Sequence, residues 1–132
     1  MKKKKSHLVM FLSSGSRDSY VFLREFRKYY DKLKDHINMK LIYHTFKCEF
    51  CSKDECSFEG NFCQYDTENW QSGKGSQIIN EQILEYQLYS SAMRSRSVDK
   101  WFDYMNLFDE RCIFNWNNSV ICSAKIISEL GM

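Results

Sequence analysis

Six cysteines are the residues of this chain best able to do chemistry: Cys48, Cys51, Cys56, Cys63, Cys112 and Cys122. Their number is even, and the first four are clustered. Three chemistries compete for that cluster. A disulfide framework would secure a loop of little apolar content, each cross-link adding roughly 2–4 kcal/mol by restricting the unfolded chain. Four thiolates could instead hold a tetrahedral zinc, but structural zinc sites present two short knuckles and only Cys48-x2-Cys51 has that spacing. Redox catalysis by Cys48-Glu-Phe-Cys51 would need a helix starting directly behind the pair to acidify its first thiol, and a proline opposite. Residues 52–63 do not read as a helix, and the chain contains no proline. The disulfide framework is the preferred reading, and it places the chain in an oxidising compartment, such as the lumen of the secretory pathway. Cys112 and Cys122 flank the Asn115-Trp-Asn-Asn118 turn and are expected to pair. For the first four, three connectivities stay open.

Other candidate residues carry less. His7, His36 and His44 are isolated in sequence and read as surface or packing residues. Gly73-Lys-Gly75-Ser lacks the preceding strand that a phosphate-binding loop requires. Asn117-Asn118-Ser119 is an N-glycosylation acceptor triplet at Asn117. Trp70, between Asn69 and Gln71 in a polar stretch, is the best candidate for a surface contact with a protein partner, since aromatic residues dominate interface hot spots. No catalytic residue, cofactor or metal is expected.

The elements that position these residues follow from the hydrophobic pattern. Residues 7–13 predict a strand, and Ser14-Gly-Ser-Arg-Asp18 a turn in which Ser16 or Asp18 caps a helix. Over 19–35 the spacing predicts that helix, with Val21, Phe22, Phe26, Tyr29, Tyr30 and Leu33 inward and Arg24, Lys28, Lys32 and Lys34 outward. Residues 38–46 predict a second strand, giving the strand, helix, strand order of a parallel sheet. Residues 47–76 form an irregular, cysteine-rich insertion. Three helices follow. The first is capped by Ser76 and runs to about Met93, burying Ile79, Ile83, Tyr86 and Ser90. The second is capped by Ser97 and buries Val98, Trp101, Phe102, Met105 and Phe108. The third is capped by Ser119 and stops at Gly131. Two strands are few for a complete α/β fold, so the sheet is expected to be completed by something further.

The chain has 132 residues, 43% of them apolar and 27% charged, with a formal net charge of +2. That suffices for one domain spanning 1–132 with one sizeable core, and it provides no strong field to attract nucleic acid. The Lys2 to Lys5 run reads as a solvated tail. Its neighbour Leu8 to Leu12 is too short for the apolar region of a secretory signal and reads as a buried strand. No apolar run approaches the roughly 20 residues that span a bilayer, so no membrane span is expected.

With the cysteines placed, the chain resembles the lumenal region that follows the protease-associated domain in plant-type vacuolar sorting receptors. Thr45-Phe-Lys-Cys48 is similar to the family's Thr-Trp-Tyr-Cys, and Gly60-Asn-Phe-Cys63-Gln-Tyr-Asp66-Thr-Glu68 to its Gly-Arg-Tyr-Cys-Ala-Pro-Asp-Pro-Glu. Gly75-Ser-Gln-Ile-Ile-Asn-Glu81-Gln-Ile83 is similar to Gly-Lys-Asp-Val-Val-x-Glu-Asn-Leu. Trp101-Phe-Asp103-Tyr104-Met-Asn-Leu-Phe108-Asp-Glu-Arg111-Cys112 is similar to Trp-Trp-Asp-Tyr-Val-Thr-Asp-Phe-x-x-Arg-Cys. The resemblance implies a thioredoxin-like α/β fold, here a truncated βαβ unit with a disulfide-rich irregular insertion and three further helices, in a lumenal receptor portion that helps bind cargo proteins. Two departures stand out. Ser14-Gly-Ser-Arg-Asp18 replaces the cysteines that the family places after its first strand, and the family continues past the position of Gly131 with proline-containing strands and a helix.

The expected function is therefore that of a non-enzymatic protein-interaction module, similar to the cargo-binding part of a vacuolar sorting receptor. The alternative is a structural or accessory subunit of a larger complex, whose partner completes the open sheet edge. A thiol-disulfide oxidoreductase or zinc-binding domain is the third reading.

Overall fold

The computed structural model describes residues 4–66 and 73–132. Strand β1 (Ser6–Leu12), helix α1 (Arg17–Leu33) and strand β2 (Ile37–Tyr43) form the expected βαβ opening. β1 and β2 pair in parallel, from Ser6 opposite Ile37 to Leu12 opposite Tyr43. The insertion contains a short antiparallel hairpin, β3 (Cys56–Ser57) and β4 (Phe62–Cys63), which an isolated bridge from Phe46 to Cys63 ties to the end of β2. Then come α2 (Gly75–Arg94), α3 (Val98–Arg111), a 3₁₀ turn at Trp116–Asn118 and α4 (Ser119–Leu130). Among the described residues, no helix is long and apolar enough to cross a membrane.

Both main strands alternate with period two, so one face of the sheet is buried and the other is not. Met10, Leu12 and Leu41 point into the core, while Val9, Phe11 and Ile42 on the other face are exposed. The core is the inner sheet face plus the α3 stripe. Val98, Trp101, Phe102, Met105 and Phe108 are all buried, as their spacing predicts. Trp101 lies edge-on to Tyr89 and to Phe102 with ring centroids 5.0 Å away in each case, and Phe108 lies edge-on to Trp116 at 5.6 Å. Offset and edge-on pairs of this kind satisfy the ring quadrupoles as well as burying area.

Two helices present a different face from the expected one. In α1 Phe26 and Tyr30 pack partly buried against the core as expected, but the fully buried residues are Tyr20 and Leu23, and Val21, Phe22, Tyr29 and Leu33 are exposed. The cause is electrostatic as much as apolar. Asp109 of α3 is fully buried, and Arg17 Nε (3.1 Å) and Arg24 Nη2 (2.7 Å) of α1 both donate to it. A second pair, Arg27 with Asp103, lies one turn further along α1. A buried carboxylate without partners is far costlier than exposed aromatic edges, so the arginine row at 17, 24 and 27 turns α1 toward α3. Arg24, expected in solvent, is thus an interhelical ligand. In α2, Ile79 is buried as expected, but Ile83 and Tyr86 are exposed, and the buried row is Ile78, Glu81, Gln82, Glu85, Tyr89 and Ala92.

The caps are shifted by small amounts. Ser16 and Ser97 hold the N-cap positions of α1 and α3 without a side-chain bond. The N-cap of α2 is Lys74, whose backbone N–H donates to Gln77 Oε1 (2.9 Å), and Ser76 lies inside the helix. Asn118 precedes α4, and Ser119 is its first residue. Gly131 ends α4 in the left-handed region at φ 66°, the conformation for which glycine carries no steric penalty.

Candidate functional site

The polar centre of the molecule lies on α2, where Glu81 and Glu85 are one helical turn apart and face inward. Glu85 is fully buried. Its Oε1 accepts from Ser14 Oγ and from the Tyr43 hydroxyl, each at 2.8 Å, and its Oε2 from the Tyr20 hydroxyl at 2.8 Å. The Tyr104 hydroxyl lies 2.5 and 3.0 Å from the two oxygens of Glu81. Between the carboxyls, Gln82 accepts from the Ser14 N–H (3.2 Å) and donates to the His44 carbonyl (3.3 Å), which also accepts from Gln64 Nε2 (2.7 Å). Trp101 Nε1 donates to the Glu85 carbonyl (3.1 Å). The network therefore joins the ends of β1 and β2, the first turn of α1, α2 and α3.

Burial sets the electrostatics of this cluster. It pushes the Glu85 carboxyl from 4.5 up to about 7, the three hydroxyl donors opposing it without prevailing. Glu81 is raised well above the usual carboxylate range by burial and then by the neighbouring Glu85 charge. Burial and the two carboxyls likewise raise the phenols of Tyr20 and Tyr104. Tyr43 is raised by burial, with Glu85 adding to it. Glu85, with no exposed surface, has no approach for a substrate. Among the described residues no group of three or more His, Cys, Asp or Glu side chains could hold a metal ion. The arrangement can pin the ends of two strands against a helix, and it can take up or release a proton.

On the outer side of the same network lies an apolar groove of about 580 Å³. It runs along the edge of β2 that has no strand partner among the described residues, between α2 and the β3–β4 hairpin. Ile42 and Thr45 form one wall, Ile83 and Tyr86 another, and Phe58 and Phe62 the end. Phe58 is 61% exposed and Tyr86 49%. Tyr43 and Gln82 belong both to the groove and to the carboxyl network.

The cysteine loop closes the hairpin end of the groove. Cys56 and Cys63 are cross-strand partners of the hairpin and are bonded to each other; Cys48 is bonded to Cys51, and Cys112 to Cys122 as expected. Among the described residues no cysteine is free, so the zinc reading falls. The Cys48–Cys51 pair is followed by a turn and the hairpin, with no helix behind it to acidify a thiol, so the oxidoreductase reading loses its structural basis. The profile of the vacuolar sorting receptor thioredoxin-like domain matches residues 13–132. The chain belongs to that family. No curated protein matches the chain in sequence.

For a vacuolar sorting receptor thioredoxin-like domain, three cross-links fit a lumenal setting in the secretory pathway. The remaining residues singled out in the sequence are scattered. Asn117 is exposed in the 3₁₀ turn before α4, His7, His36 and His44 are exposed, and Trp70 lies outside the described residues. The side chains of Asn117, His7, His36 and His44 join neither the groove nor the carboxyl network. Sequence reasoning passed over Glu81, Glu85 and the three tyrosines. The available signal was the spacing of 78, 81, 82, 85, 89 and 92, a helical stripe that mixes apolar residues with acids.

Proposed function

We propose that this vacuolar sorting receptor thioredoxin-like domain is a non-enzymatic protein-interaction module that takes an extended segment of a cargo protein along β2. The observation that carries the reading is the apolar groove beside a strand edge that has no strand partner among the described residues. Unpaired N–H and C=O groups on such an edge offer main-chain hydrogen bonds to an added strand, and a flanking groove accepts every second side chain of it. Family membership supports a receptor-type role. The test is selection of oxidised protein against a randomised peptide library. Bound peptides are expected to carry apolar residues at alternate positions, and Ile83→Asp is expected to weaken their binding at least tenfold, because it places a charge in the groove without touching the buried row of α2. Unselective binding, or equal binding by the variant, would remove the groove from the function. Trp70→Ala in the same assay measures whether that residue adds a contact, and an intact mass after lumenal expression shows whether Asn117 carries a glycan.

A second reading, a subunit of a larger assembly, is favoured by the uncovered sheet face. Phe11 is 75% exposed and stands beside Val9 and Ile42, an apolar surface of the kind that partners bury. Sedimentation of the isolated chain over a wide concentration range checks this reading for self-association. A mass that stays at 15.9 kDa, with no change in Phe11→Ser, would exclude a second copy of the chain as the cover.

A further inference from the structure

We propose that Cys48–Cys51 is a thiol-exchange site, open to low-molecular-weight thiols of the glutathione class, while the other two disulfides are closed to them. Exchange needs a line of approach to one sulfur and a place in water for the thiolate that leaves. In the Cys56–Cys63 bond, Cys63 is 0% exposed, so attack on Cys56 would expel a thiolate into the dry interior. In the Cys112–Cys122 bond, Cys112 is 1% exposed, with the same consequence. Cys48 and Cys51 are both partly exposed and line an open concavity of about 290 Å³ together with Lys53 and Glu59; Cys56 reaches the same concavity, but its partner Cys63 does not, so only the Cys48–Cys51 bond has both sulfurs there. Whichever of the two is attacked, the other leaves toward water. The loop between them consists of Glu49 and Phe50, and Phe50 is 96% exposed, so opening the bond takes no buried side chain out of the core. It is also the shortest of the three closed loops, with a sequence separation of 3 against 7 and 10, and therefore restricts the unfolded chain least.

An external thiolate attacks Sγ of Cys51; the new sulfur–sulfur bond forms as the Cys48–Cys51 bond breaks, and Cys48 departs with the bonding pair and takes a proton from water. A second thiolate attacks the external sulfur of this mixed disulfide, releasing the small-molecule disulfide and the Cys51 thiolate. The protein gains two electrons and the two thiols lose them. The hairpin keeps its own cross-link throughout, and Cys48 keeps its backbone bond to the Gly60 carbonyl (3.0 Å).

The proposal is independent of what occupies the groove. It is tested by exposing the folded, oxidised chain to millimolar glutathione without denaturant, quenching with an alkylating reagent at intervals and mapping the cysteines by mass spectrometry. Cys48 and Cys51 are expected to be labelled at least tenfold faster than the other four, with the near-ultraviolet circular dichroism unchanged. The fast phase is expected to vanish in the Cys48→Ala, Cys51→Ala double variant, while the slow phases stay. Equal or earlier labelling of Cys56, Cys63, Cys112 or Cys122 would overturn it, as would labelling of Cys48 and Cys51 only in step with loss of tertiary structure. The wild-type order alone decides the matter if the double variant does not fold.

Discussion

Raising the pH from 5 to 8 is expected to destabilise the oxidised protein through Glu85 by about 2–3 kcal/mol, a dependence opposite to that of an ordinary ion-paired carboxylate. Burial holds the Glu85 carboxyl at about 7 in the folded protein against 4.5 when exposed. Between those values the folded state keeps a proton that the unfolded chain has released, so folding is linked to proton uptake. The stabilisation is complete below about 4.5, shrinks as pH rises through the window and is gone above about 7. Glu81, raised by burial and by Glu85, adds in the same direction. The network tolerates both states because Ser14, Tyr20 and Tyr43 present hydroxyls: each donates to the anion and, by rotation, one can accept from the acid. Urea unfolding at pH 5, 6, 7 and 8 measures the slope. Glu85→Gln keeps the side-chain shape without the titration and is expected to flatten most of the slope. A stability that rises from pH 5 to 8, or a slope unaltered in Glu85→Gln, would show that the carboxyl is already ionised in the fold.

How far the molecule could be read from its residues depended on whether a single physical demand dominated each segment. In α3 every large apolar residue lies on one stripe, and no second stripe competes. Trp101, Phe102, Met105 and Phe108 therefore fall where their spacing puts them. Cys112 and Cys122 lie near each other in sequence on either side of a short turn and are expected to pair, and they do. α1 and α2 each carry two possible inward faces. On α1 the apolar count favours Val21, Phe22 and Tyr29, but the buried charge of Asp109, far away in sequence, selects the face with Arg17 and Arg24. On α2 the apolar residues Ile83 and Tyr86 are displaced outward by Glu81 and Glu85, whose burial is stabilised by hydroxyls from β2, α1, α3 and the turn after β1. No local pattern encodes partners that arrive from four other segments. The same reason left the first four cysteines unresolved: the Cys56–Cys63 bond follows from a two-residue hairpin pairing that a polar, aperiodic loop does not announce. The groove was hidden for the same reason, since its α2 wall is made by Ile83 and Tyr86, which the stripe was expected to bury.

Trp101→Ala is expected to cost about 3–5 kcal/mol, a large share of the roughly 5–15 kcal/mol that holds an ordinary domain folded. Trp101 has no exposed surface, so its removal leaves a cavity in the middle of the core. The ring stands between Tyr89 of α2 and Phe102 of α3, 5.0 Å from each, so both edge-on contacts are lost together. Its Nε1 also ties α3 to the Glu85 carbonyl across 3.1 Å, which anchors the turn of α2 that carries the carboxyl network. Trp101→Phe separates these contributions: it fills much of the cavity and lacks the N–H, so it is expected to lose about 1–2 kcal/mol. Because the lost bond holds the backbone beneath Glu85, Trp101→Phe should also alter the pH slope of stability, which a change of packing alone would leave in place. Thermal and urea unfolding of the two variants at pH 5 and 8 make that comparison. Equal losses for Trp101→Ala and Trp101→Phe would mean that the hydrogen bond, and not the cavity, dominates the contribution of this side chain.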